Sequence, residues 1–221
     1  MKNFGFIFDM DNTLLDTNID FKEMHRVTVE AVKIYCGAAV AETAVDFSTM
    51  VTGQVLNWAI SHGLSKEQEM EIWEKICDVE TLGMQDIHTE PNAEAMLASL
   101  KSRGCHLFVL TNNSLKAAKI AMEKSGLAVY FDEIHARDEY GEVKPSPKGI
   151  NSIIADHPRL TQWLMVGDSW LDGGAAKNAN IAFAAYGANG DDYWQEYQIE
   201  PVVHISQWNE QAAETLISVL K

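Results

Sequence analysis

Basic residues are scarce in this chain of 221 residues: 17 lysines and arginines stand against 32 aspartates and glutamates, for a formal net charge of −15. That deficit argues against nucleic acid and anionic membranes as partners, since both demand a basic footprint. Cysteine is scarcer still. Cys36, Cys77 and Cys105 lie far apart, and none belongs to a CxxC pair or to a His/Cys group at zinc-ligand spacing. Neither a disulfide framework nor a zinc site is expected, and the three read as buried thiols in a reducing compartment. No apolar run approaches the length of a membrane span, and the opening "MKNFGFIF" meets Asp9 without a cleavage site. A cytoplasmic location is expected. Repeats, low-complexity stretches and flexible linkers are missing as well.

What remains is an ordinary globular composition, 47% apolar and 22% charged, long enough for a core domain that carries a smaller insert. The opening strand "FGFIF" is followed by Asp9, Asp11, Asn12, Thr13 and Asp16, with no basic residue in that stretch to neutralise them. Residues 18–84 change character. Three amphipathic helices are predicted there, over 21–37, 47–64 and 65–83, the first with Met24, Val27, Ala31, Ile34 and Tyr35 on one face. No strand is expected in this block.

Beyond it, strands and helices alternate. Helices are predicted over 91–104, 114–126, 148–157, 170–180 and 208–221, and strands over 105–110, 131–136, 163–168, 181–186 and 201–205. The strands are continuously apolar, which belongs to a parallel sheet covered on both faces. The expected fold is α/β, a doubly wound parallel sheet of Rossmann-like type, with an all-helical cap inserted after the first strand. The core is then residues 1–17 and 85–221, and the cap residues 18–84.

In such a sheet the ligand crevice lies beyond the carboxyl ends of the strands. Asp9 and Thr111 each follow a predicted strand, Asp168 ends another, and Lys144 lies in the loop after a fourth. Asp9, Asp11, Asp168 and Asp172 would meet one lysine at that edge. Carboxylates crowded in this way call for a hard divalent cation, and oxygen ligands suit Mg²⁺.

"DMDNT" with "LLDT", then "LTNNS", the lysine of "VKPSP" and "VGDSWLDGGAAKNA" resemble, in order, the four motifs of the haloacid dehalogenase superfamily. The helical block resembles the small cap of its phosphoglycolate-phosphatase-like members. The resemblance implies a Mg²⁺-dependent phosphomonoesterase acting on a small phosphorylated metabolite through an aspartyl-phosphate. Asp9 would be the nucleophile and Asp11 the general acid and base. Asp9, the Asp11 main-chain carbonyl and Asp168 would hold Mg²⁺, with Asp172 a further ligand or the group that positions metal-bound water. Thr111, Asn112 and Lys144 would bind the phosphoryl oxygens. Asp11 favours phosphate esters over haloalkanoates, whose dehalogenases in this family lack the second aspartate. Asn12 replaces the family's commoner glycine, and asparagine tolerates the left-handed backbone the turn requires.

Plainer roles exist for several of these residues. Thr111 and Asp172 suit helix caps, and Lys144 could be an exposed loop lysine. In the cap, Lys22, His25 and Arg26 form a basic cluster that is either substrate-facing or a solvated face. Thr52, Gln54 and Asn57 surround Gly53, where related caps carry a substrate-reading loop. A phosphosugar mutase would need an arginine there, and Met50 and Val51 occupy the neighbourhood. A phosphonate hydrolase would need a Schiff-base lysine, for which Lys22 and Lys33 are the candidates. A non-catalytic binding module on the same fold is the remaining alternative. Phosphoglycolate, a sugar phosphate, a nucleoside monophosphate and pyrophosphate all fit the core motifs.

Overall fold

Strand β1 (Phe4–Phe8) is buried at all five positions, because neighbours cover both of its edges and helices both of its faces. The computed structural model describes residues 3–220. Met1, Lys2 and Lys221 fall outside that range, and with them the outer ends of the expected core segment 1–17 and of the last expected helix. The chain divides into two compact units, one formed by residues 1–17 and 86–221 and the other by residues 18–85.

After β1, the short strand β2 (Leu15–Thr17) leads into the helical unit. That unit contains α1 (Phe21–Tyr35), α2 (Gly37–Thr43), α3 (Thr52–Ser61) and α4 (Lys66–Gly83), and α1 packs against both α3 and α4. The first expected helix, 21–37, is α1, which ends at Cys36, whose φ of −114° and ψ of 22° leave the helical region, and α2 is a further short helix that runs on beyond the expected range. The second is a 3-10 turn at Phe47–Thr49 followed by α3, separated at Met50 by extended backbone. The buried face of α1 also differs from the expected one. Met24 and Ala31 are buried as predicted, but their companions are Thr28 and Val32, while Ile34 is 76% exposed. Thr28 can sit inside because its hydroxyl donates to the Met24 carbonyl at 2.8 Å, leaving no unmet polar atom.

The other unit resumes with β3 (Ile87–Thr89), which pairs antiparallel with β2, Thr17 opposite Ile87 and Leu15 opposite Thr89. There follow α5 (Ala93–Ser102), β4 (His106–Leu110), α6 (Leu115–Lys124), β5 (Glu133–His135), α7 (Arg137–Tyr140), α8 (Lys148–Asp156), β6 (Gln162–Gly167), α9 (Trp170–Asn178), β7 (Ala182–Tyr186), α10 (Asp191–Glu196), β8 (Val203–Ile205) and α11 (Glu210–Ser218). Six strands form one all-parallel sheet in the order β5, β4, β1, β6, β7, β8. The α/β doubly wound expectation is met. The β2–β3 ribbon, α7 and α10 are additions to it, each too short to leave a periodic pattern. Among the described residues no helix is long and apolar enough to cross a membrane.

This order places β1 at the centre, with β4 on one side and β6 on the other. Their carboxyl ends therefore open onto one crevice. Beneath it, Ile7, Phe108, Met165 and Phe183 join a core completed by Ile150, Ile153 and Trp194. Trp208 is fully buried and donates its indole N–H to the Thr13 carbonyl at 2.7 Å, which pins the turn after β1 from below.

Candidate active site

The ladder of β1 ends where the Asp9 N–H donates to the Val166 carbonyl at 2.9 Å. The chain then turns, with Asn12 at φ 56° in the left-handed region that asparagine accepts. The turn leaves Asp9 buried and Asp11 half-buried. Their side chains have different surroundings. The Lys144 Nζ donates to Asp9 Oδ1 at 2.5 Å and to Asp172 Oδ1 at 2.7 Å. Asp11 instead accepts from the Thr17 hydroxyl at 2.6 Å and from the Asn113 side-chain amide at 2.5 Å.

Asp172 is completely buried at the start of α9. One carboxylate oxygen faces Lys144, and the other accepts from the Ser169 N–H at 3.1 Å and the Ser169 hydroxyl at 2.7 Å. It caps the helix and meets the lysine at the same time. Gly167 makes this possible, since a Cβ there would stand 2.4 Å from the Asp172 Cγ. Asp168 extends from the end of β6, and its carbonyl accepts from the Asn189 side-chain amide at 2.8 Å. Asp9, Asp168 and Asp172 bring oxygen atoms within 4.8 Å of one another.

Four carboxylates, Asp9, Asp11, Asp168 and Asp172, share this edge with one buried ammonium. Burial pushes the Asp9 carboxyl well above the usual carboxylate range, and repulsion from Asp172, Asp168 and Asp11 adds to that effect against the pull of Lys144. Asp168 is pushed up to about 7 by burial and then by Asp172. Burial lowers the Lys144 pKa, but Asp172 and Asp9 outweigh it and hold the ammonium firmly protonated. An all-oxygen donor set with excess negative charge and no soft ligand fits a hard divalent cation, which would relieve the repulsion that raises these carboxyls.

Thr111 is buried just past β4, and its hydroxyl oxygen accepts the Asn113 N–H at 3.1 Å. Ser114, rather than Thr111, caps α6. The Asn112 side chain is occupied by the Lys144 backbone: Nδ2 donates to its carbonyl at 3.1 Å, and Oδ1 accepts its N–H at 2.7 Å. An anion would then meet Asn112 at its main-chain N–H. Asn113, to which the sequence motifs give no separate part, joins Thr17 in seating Asp11. Only tertiary contact between the loops after β1 and β4 reveals it.

The structure does not gather the residues singled out in the helical unit. Arg26 is exposed and engaged by Glu23 and Glu30, each at 2.6 Å. Lys22 is exposed and His25 half-buried on the same helix. Gln54 turns back to accept the Val51 N–H at 3.0 Å, capping α3, while Thr52 is half-buried and Asn57 exposed.

Fold and cluster together place the chain among α/β enzymes that keep their reacting groups beyond the carboxyl ends of a parallel sheet. The family described as haloacid dehalogenase-like hydrolase matches residues 6–186, and the chain belongs to it. A phosphoglycolate phosphatase from Vibrio parahaemolyticus is 32% identical over 184 residues, covering 79% of each chain. One from Neisseria gonorrhoeae is 32% identical over 180 residues, covering 78% of this chain and 75% of its own. The crystal structure of a haloacid dehalogenase superfamily hydrolase from Ehrlichia chaffeensis superposes over 100% of both chains, with a TM-score of 0.60 at 18% identity.

Proposed function

We propose that this phosphatase of the haloacid dehalogenase-like hydrolase family cleaves the phosphomonoester of a small phosphorylated metabolite in the cytoplasm, with Asp9 as nucleophile and Mg²⁺ as cofactor. One observation carries the proposal: two aspartates two residues apart have distinct seats, Asp9 buried on the Lys144 ammonium and Asp11 half-buried between Thr17 and Asn113. Two carboxylates in different environments suit two different chemical roles.

In the first half-reaction, Asp9 attacks phosphorus and the ester P–O bond breaks, leaving an aspartyl-phosphate. Asp11 delivers a proton to the departing alkoxide. In the second, Asp11 takes a proton from water as it attacks the acyl-phosphate, releasing inorganic phosphate and restoring Asp9. Thr111 and Lys144 hold the phosphoryl oxygens, and the ammonium compensates the charge they gain in the transition state. Asp9, Asp168, Asp172 and the Asp11 main-chain carbonyl would hold Mg²⁺, which supplies further positive charge at those oxygens when bound. The helical unit serves as the cap that selects the leaving group. Lys22 and Lys33, the lysines a phosphonate hydrolase would require, are both exposed, which disfavours that alternative.

Phosphoglycolate leads the substrate candidates, on the strength of the named relatives. A panel of phosphate esters with Mg²⁺, scored by kcat/KM, tests this against sugar phosphates, nucleoside monophosphates and pyrophosphate. Asp9→Asn and chelation are each expected to abolish hydrolysis of p-nitrophenyl phosphate. Asp11→Asn is expected to lower kcat by about 10² to 10⁴-fold. Turnover that survives Asp9→Asn would overturn the mechanism.

A further inference from the structure

Arg137 is buried beside the same crevice, and the proposed reaction gives it no part. An interior guanidinium is costly unless acceptors meet its N–H groups. Its Nη1 donates to the Asn112 carbonyl at 3.0 Å, and its backbone N–H donates to the Asn113 carbonyl at 3.2 Å. The Thr111 N–H in turn donates to the His135 carbonyl at 3.1 Å. Three successive residues of the loop after β4 are thereby tied to the corner between β5 and α7.

Asn112 carries this restraint onward. Its amide brackets the Lys144 peptide from both sides, so the lysine's own N–H and carbonyl are met by the loop after β4. Lys144 itself lies in the irregular stretch between α7 and α8, where no helix or strand fixes it. Arg137, Asn112, Thr111 and Lys144 line one small pocket with Tyr140, so a shift of the arginine has a short path to the lysine.

We propose that Arg137 is a positioning residue for the phosphatase reaction described above, on which this inference rests. By fixing the Asn112 peptide it sets, through the Asn112 amide, where Lys144 presents its ammonium to Asp9. Because Lys144 opposes charge that grows in the transition state, a displaced lysine lowers kcat more than it raises KM.

The test uses the full chain with Mg²⁺ and p-nitrophenyl phosphate, comparing Arg137→Met, Arg137→Lys, Asn112→Ala and the Arg137→Met/Asn112→Ala double variant. Arg137→Met is expected to lower kcat about 10- to 100-fold, the cost typical of losing a group that orients a site residue. Arg137→Lys should recover much of that loss. In the Asn112→Ala background, Arg137→Met should cost little more, because the path to Lys144 is already cut. A wild-type kcat in Arg137→Met, or losses that multiply in the double variant, would overturn the inference. Thermal melts identify unfolded variants, and Arg137→Gln in both backgrounds replaces Arg137→Met if that chain does not fold. Calorimetric binding of orthophosphate with Mg²⁺ gives a second readout that needs no turnover. It should be weakened in both single variants and no further in the double. If the wild-type chain hydrolyses no ester, the mechanism fails while the binding comparison still decides the role of Arg137. Unchanged orthophosphate affinity in both single variants would overturn that role.

Discussion

Gly167 shows how little room the acidic cluster has. Alanine at this position would bring its Cβ to 2.4 Å from the Asp172 Cγ, so Asp172 must move. The moved carboxylate would lose its two-sided position between Lys144 and Ser169. Gly167→Ala is therefore expected to destabilise the chain by about 1–3 kcal/mol, as overpacking does. It should also weaken Mg²⁺ binding by about tenfold or more, a typical cost of disturbing the support of a ligand. Isothermal calorimetry with Mg²⁺ and a thermal melt check both effects, and wild-type cation affinity in the variant would count against Asp172 as part of the cation seat. At this scale the sequence exposes residues placed by strand ends, such as Asp9 and Asp168, because a strand's end fixes where the next side chain emerges. It hides residues whose partners come from another loop. Nothing near Asn113 signals that its amide reaches Asp11, and nothing near Arg137 signals that its side chain turns inward toward Asn112.

Asp132 acts between elements. It precedes β5, and its carboxylate accepts from the Lys101 ammonium at the end of α5 at 2.8 Å and from the Leu107 N–H of β4 at 2.9 Å. Burial raises its pKa, but Lys101, the Leu107 N–H and His106 outweigh burial and bring it below the ordinary 3.8. A carboxyl whose folded pKa is depressed stabilises the fold above its unfolded value and loses that contribution as pH falls through the folded one. Asp132→Asn should accordingly be less stable than wild type at pH 7, and the gap should narrow progressively below pH of about 4. Urea melts at pH 7 and pH 3 measure the gap, and a gap constant with pH would remove charge from the explanation. The elements themselves were unequally legible. Strands β1, β4, β6 and β7 are covered on both faces and so read as unbroken apolar runs. Strands β2 and β3 have three residues each, several of them exposed and polar, and carry no such mark. The inward face of α1 differs from the expected one because Thr28, whose hydroxyl is met by the Met24 carbonyl, can be buried while Ile34 lies outside, and counting apolar residues detects neither.

Across the whole molecule, a net charge of −15 sets the approach of a phosphate dianion. The long-range field would repel such a substrate, while Lys144, together with a divalent cation if one is held by Asp9, Asp168 and Asp172, would attract it only at close quarters. Added salt shortens the Debye length from about 30 Å at 0.01 M to about 8 Å at 0.15 M, and so screens the long-range repulsion first. With Mg²⁺ kept saturating, kcat/KM for an anionic ester should rise across this range of KCl. A fall would mean that the local positive field governs encounter instead. Composition alone made this charge visible, and the change from a run of helices to alternating strands and helices set residues 18–84 apart. The position of β1 in the sheet is not written in any single segment, since it arises from which strands share edges.

That central position has a cost during synthesis. Strand β1 leaves the ribosome well before its partners, since β4 follows the entire helical unit and β6 comes some way after that. At roughly 5–20 residues per second, the five apolar residues Phe4–Phe8 wait on the order of ten seconds with both edges unpaired, open to other chains. The β2–β3 ribbon shortens the search that ends this exposure. Once Leu15 lies opposite Thr89, the helical detour no longer counts toward the loop that must close when β4 arrives, and the nascent core has a much smaller ring to shut.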